Sequence, residues 1–195
     1  MSKRFYTYLL EIQKRLEKVF PFPGWGRVAH IDEATFDEHN FYVADNVAIE
    51  SSKKIGQMTA YLYSKQYAAT PQMPFHHWFC HVIIFYDKEI ITDDKLWAIQ
   101  RNLRHWGRNQ VKPSEDHSII GVTITDSGFL ESSIEIIFRA FYVEEVNQGI
   151  MGQYLVGVDL NKNEVYTPRY GIAPKLGKHA EEGLRSFFNP RGIFT

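Results

Sequence analysis

Seven segments rich in aromatic and β-branched residues constrain this chain more than any other feature. They are FYVADNVAIE (41–50), QMTAYLYS (57–64), HHWFCHVIIFY (76–86), SIIGVTITD (118–126), SSIEIIFRAFYVEE (132–145), QYLVGVDL (153–160) and EVYT (164–167). Their Val, Ile, Tyr and Phe content and their period of two predict strands, because side chains on a pleated ribbon alternate between faces. The polar DLNKNE between the last two reads as a hairpin turn.

Helical spacing is confined to three places. Phe5, Tyr8, Leu9, Ile12, Leu16 and Val19 form one apolar stripe, with Ser2 placed to cap it and PFPGWG (21–26) to stop it. TDDKLWAIQRNLRHWG (92–107) has Thr92 as a cap, Asp93 and Asp94 at the positive end, and Gly107 at the expected stop. Its buried stripe is Leu96, Ile99, Leu103 and Trp106. A shorter helix is predicted over 177–188. No repeat, low-complexity stretch or linker divides the chain. The expectation is one α+β domain over 1–195, with a mostly antiparallel sheet of about six to seven strands covered by helices on one side. A parallel doubly wound fold needs more intervening helices than this pattern offers.

Composition narrows the function classes. The 195 residues carry a formal net charge of −1, so no global field draws in nucleic acid or acidic lipid. Aromatics make up 15%, enough to fill a core and leave rings for an interface. A single cysteine excludes an internal disulfide and fits a reducing, cytosolic setting. The amino terminus lacks the pattern of a secretory leader, and no run of eighteen apolar residues offers a membrane span.

The densest collection of chemistry-bearing side chains is HHWFCH at 76–81. On a strand His77, Phe79, His81, Ile83 and Phe85 share one face, while His76, Trp78, Cys80 and Val82 share the other. His77 and His81 are then about 13 Å apart along the ribbon, too far for one ion whose bonds to nitrogen are about 2.0–2.1 Å. His77 and His81 are therefore core or half-buried histidines first, and metal or catalytic groups only if a distant side chain such as His30, His39, His105 or His117 completes a site. Cys80 reads as an inert buried thiol. DSGFL (126–130) lacks the spacing of a nucleophile elbow. No phosphate-binding glycine motif occurs, and DLNKNE lacks the glycine and distal glutamate of a calcium loop. GIAPKLGKH (171–179) reads as a connector.

Two charged constellations remain. Arg101, Arg104 and Arg108 make a basic ridge on the 92–107 helix, with Lys112 beside it. Such forks grip phosphates or carboxylates, although cations also suit a helix C-terminus. Glu135 and Arg139 fall on one face of the predicted 132–145 strand, where apolar neighbours make unpaired charge costly. The preferred reading is a non-enzymatic binding or interaction protein in the cytosol, with a protein partner and no identified cofactor. One alternative is an enzyme or ligand-binding domain using His77, His81, Glu135 or Arg139, metal-dependent in one version. A second is nucleic-acid binding through Arg101, Arg104, Arg108 and Lys112.

Overall fold

The computed structural model describes residues 2–18, 38–48, 57–67, 77–169 and 174–194. The chain runs α1 (Lys3–Lys18), β1 (Glu38–Ala48), β2 (Gln57–Tyr67), β3 (His77–Asp87), α2 (Asp93–Arg108) and β4 (Glu115–Thr125). It continues through α3 (Glu131–Arg139), β5 (Phe141–Val146), β6 (Gly149–Asp159), β7 (Glu164–Tyr166) and α4 (Pro174–Phe187). The predicted helix stop at 21–26, together with Val19, His30, His76 and residues 171–173 of the connector, lies outside the described residues.

The strands form one sheet in the order β1-β2-β3-β4-β6-β5, with β7 also paired to β6. β1–β2, β2–β3, β5–β6 and β6–β7 are antiparallel, but the two pairings at the centre, β3–β4 and β4–β6, are parallel. The sheet is thus mixed, which corrects the expectation of a mostly antiparallel one. Parallel neighbours need long crossovers. α2 supplies the first, and α3 with β5 supplies the second.

Helices also lie on both faces rather than one. Phe5, Tyr8, Leu9, Ile12 and Leu16 of α1 pack with Leu184 and Phe188 against Cys80, Val82, Ile84, Val122 and Val156. On the opposite face Leu96, Ile99 and Leu103 of α2 and Ile137 of α3 pack against Ile83, Phe85, Ile119 and Leu155. β3 and β4 are therefore buried on both sides, which explains their near-continuous apolar runs. Each such side chain contributes about 2 kcal/mol by leaving water.

Residues 132–139 form a helix, not the predicted strand. Ile134, Ile136 and Ile137 are β-branched and suit a strand, but helical spacing buries Ser133 and Ile137 together. The Ser133 hydroxyl bonds the Ile91 carbonyl and Asp93 Oδ1, tying α3 to the start of α2. α2 runs through Gly107 to Arg108, because Gly107 is buried beside Ile119 and Met151 with no space for a side chain. Ser2 caps α1 as expected, its Oγ accepting the Phe5 N–H at 3.0 Å.

The C-terminal segment is bound to α1. The Tyr8 hydroxyl donates to the Phe188 carbonyl at 2.6 Å, and Arg15 Nη1 donates to the carbonyls of Phe187 and Asn189. Asn163 adopts a left-handed conformation (φ 55°) in the β6–β7 turn, where Asp159 Oδ1 accepts the N–H groups of Asn161 and Lys162. Arg4 joins the two, with Nη2 on the Asn163 side chain and its guanidinium over the Phe194 ring, so the turn and the C-terminal tail lie side by side.

Candidate functional site

Of the histidine-rich strand, His77 is exposed at the first position and His81 is buried. The parallel β3–β4 register brings His117, one of the distant histidines named above, next to His81. His81 Nε2 and His117 Nδ1 are 2.9 Å apart, Ser64 Oγ lies 2.7 Å from His81 Nδ1, and Glu115 Oε2 lies 3.1 Å from His117 Nε2. An ionised carboxylate only accepts, which fixes the direction of every bond. His117 Nε2–H donates to Glu115, His81 Nε2–H donates to His117, and Ser64 donates to His81. Phe79 stacks on His117, and Trp106 meets His81 edge-on.

Both ring nitrogens of both histidines are occupied, so each ring is held neutral in one tautomer. Burial and the adjacent His117 push His81 down to about 3. Burial also lowers His117, against the opposing pull of Glu115. A histidine this hard to protonate is a poor general base near neutrality. Cys80, fully buried, has its thiol pushed up by desolvation. Among the described residues no group of three or more His, Cys, Asp or Glu is arranged to hold a metal ion.

The arginine ridge on α2 exists, but two of its three guanidiniums are engaged. Arg108 grips both oxygens of Glu144 on β5, at 2.5 and 2.6 Å, and Arg104 reaches Glu144 at 3.1 Å and the Tyr142 hydroxyl. Arg104 also covers the Tyr142 ring at 3.9 Å. The Arg108 hydrogen bonds hold the Glu144 carboxyl at about 2. Arg101 and Lys112 are exposed. Glu135 and Arg139, expected as charges embedded in an apolar strand, are both exposed on α3. An i, i+4 pair on a helix face keeps both charges in water, so that expectation is corrected.

A second group of cations was not singled out from the sequence. Arg169, Arg185 and Arg191 line one cavity of about 340 Å³ with Asn163 and Asn189. Arg169 lies flat on the Phe138 ring, 3.5 Å from its centroid, and its backbone N–H donates to the Phe138 carbonyl. Arg185 shares its charge with Glu181 at 2.9 Å. Among the described residues no carboxylate pairs with Arg169 or Arg191. Arg191 also borders an adjoining cavity of about 390 Å³ beside Lys14 and Arg15 of α1.

The amides are oriented by groups that only donate. Arg4 Nη2 lies 2.9 Å from one side-chain atom of Asn163, which must therefore be its oxygen. The Arg191 backbone N–H fixes the Asn189 oxygen likewise, at 2.9 Å. Both amide –NH₂ groups are left as the unengaged ends. Glu164 also lines the cavity, and the Tyr166 hydroxyl donates to it at 2.7 Å. The cavity is thus dominated by donors and positive charge, in a chain whose overall charge is slightly negative.

No local spacing announces this group: its members lie at 163, 169, 185, 189 and 191, gathered by the β6–β7 turn, α4 and the tail. Compared with known proteins, the chain matches no family model, no curated protein and no solved structure. What it does must be read from its own side chains.

Proposed function

We propose that the chain is a binding protein without catalytic chemistry of its own, and that its ligand or protein partner docks through an anionic group at the arginine-lined cavity. The observation carrying this reading is the contrast between two polar groups. The histidines that would do chemistry are satisfied inside a closed hydrogen-bond chain, while Arg169 and Arg191 stand at an open cavity with no carboxylate partner among the described residues. Arginine forks suit planar or multi-oxygen anions and are enriched at interfaces. A cytosolic setting belongs to the proposal, supported by a single cysteine, which can form no internal disulfide.

Nucleic-acid binding by the α2 ridge has less support, because Glu144 neutralises much of it. The enzyme reading has less support because His81 and His117 are not available to a substrate. The test is binding of a panel of phosphorylated and carboxylated small molecules and acidic peptides at low salt, measured by calorimetry. The proposal expects saturable binding that falls at least about tenfold in R169E/R191E and persists in R101E/K112E. Absence of binding across the panel, or ester hydrolysis abolished by Ser64→Ala, would overturn it.

A further inference from the structure

We infer that the cavity between the β6–β7 turn and the C-terminal tail is a site for a phosphomonoester group on a compact ligand. The inference rests on the binding reading above and specifies its chemistry. Three guanidiniums line one space with the amides of Asn163 and Asn189, whose oxygens are already engaged, and the guanidiniums can only donate to a ligand there. A carboxylate offers two accepting oxygens and a single negative charge. A phosphomonoester offers three strongly accepting oxygens and a charge near −2 at neutral pH.

The charges agree with this choice. Glu164, and Glu181 through Arg185, offset part of the three positive charges. Arg4, whose Nη2 reaches Asn163 of the lining, brings a fourth positive charge beside the cavity, so the surplus is about two and suits a dianion. Arg169 is held flat by Phe138, so its N–H edge is pre-organised and loses little freedom on binding. Asn163 is held by Arg4 and by its own left-handed turn position, and Asn189 is held by the backbone of Arg191. A volume of about 340 Å³ sits at the small end of ligand clefts. That size admits the phosphate and the group immediately attached to it.

The phosphate can arrive on a small metabolite or on a phosphorylated side chain, and the experiment separates these sources. Calorimetric titrations of the full chain would use inorganic phosphate, phenyl phosphate, a phosphoserine peptide with its unphosphorylated control, and citrate as the carboxylate comparison. The expected result is saturable binding of phenyl phosphate, weakened about tenfold or more by Arg191→Gln and by Arg169→Gln, and unchanged by Arg101→Gln. Circular dichroism of each variant would verify that the fold is retained. Binding of phenyl phosphate but not the phosphopeptide identifies a metabolite; the reverse identifies a modified partner.

Citrate binding more tightly than every phosphate, with the same arginine dependence, would overturn the phosphate assignment and leave the binding reading standing. No binding by any anion would overturn both. An equal loss in Arg101→Gln would assign the effect to general surface charge and overturn the inference.

Discussion

Acid should weaken this fold through the His81–His117 chain before any exceptional carboxylate titrates. Burial holds His81 at about 3 in the folded state, against an ordinary value of about 6.5 in the unfolded chain. Between those values the unfolded chain carries a proton that the folded one refuses. Stability is therefore undiminished above about pH 6.5 and falls as the pH drops, by about 1.4 kcal/mol per unit for one fully resistant histidine. From pH 6.5 to 4.5 His81 alone costs about 2 kcal/mol, out of the roughly 5–15 kcal/mol typical of a domain. His117, also lowered, adds to the same slope, and its neighbours Glu115, Asp116 and Lys112 set how much. Glu144, held near 2, stays ionised throughout this window. The assay is urea unfolding at several pH values across that interval, followed by tryptophan fluorescence, on the natural chain and on His81→Gln. The variant should start less stable at neutral pH yet lose about 2 kcal/mol less on acidification. Equal acid losses in the two proteins, or a His81 ring that titrates near 6.5 by NMR, would refute the reasoning.

Other consequences are equally direct. A Cβ on Gly149 would fall inside van der Waals contact with the Glu115 backbone carbonyl, which cannot rotate away, so Gly149→Ala should cost about 2–3 kcal/mol in chemical denaturation. Asp116 accepts the Ile150 N–H at 2.7 Å and the Trp78 indole N–H at 3.1 Å. Asp116→Ala leaves both donors without it and should cost about 2–4 kcal/mol, with a shifted Trp78 emission. Glu144→Gln removes the charge that occupies Arg104 and Arg108. That variant should acquire salt-sensitive retention on an oligonucleotide column that the natural chain lacks.

Much of the sheet was legible because strand periodicity is local. The split of His77, Phe79 and His81 from Trp78 and Cys80 appears in the structure as two different helical layers above and below β3. The stripe of α2 was legible for the same reason, since Leu96, Ile99 and Leu103 are buried, while Trp106 is only half-buried. Residues 132–139 were misread because three isoleucines in four positions satisfy both periods. The choice is made by Ser133 meeting Ile91 and Asp93, some forty residues away. Strand direction was not legible either, because nothing in HHWFCHVIIFY or SIIGVTITD records that they lie parallel. The His81–His117 pair and the Glu144 clamp depend on that register and on the placement of β5. The arginine cavity was hidden for a further reason. Its cations are scattered singly, and each on its own resembles ordinary surface charge.

The ties from Tyr8 and Arg15 to residues 187–189 have a consequence for assembly. During synthesis the oily side of the first helix emerges early, yet the aromatic ring that closes over it arrives only with residue 188. Until then the helix has only the sheet to pack on, and closing the loop between residues 8 and 188 is entropically slow. The tail that completes this closure also carries Asn189 and Arg191. The arginine-lined cavity is therefore finished only when the tail is seated against the first helix, and a partly closed chain has no such cavity to offer.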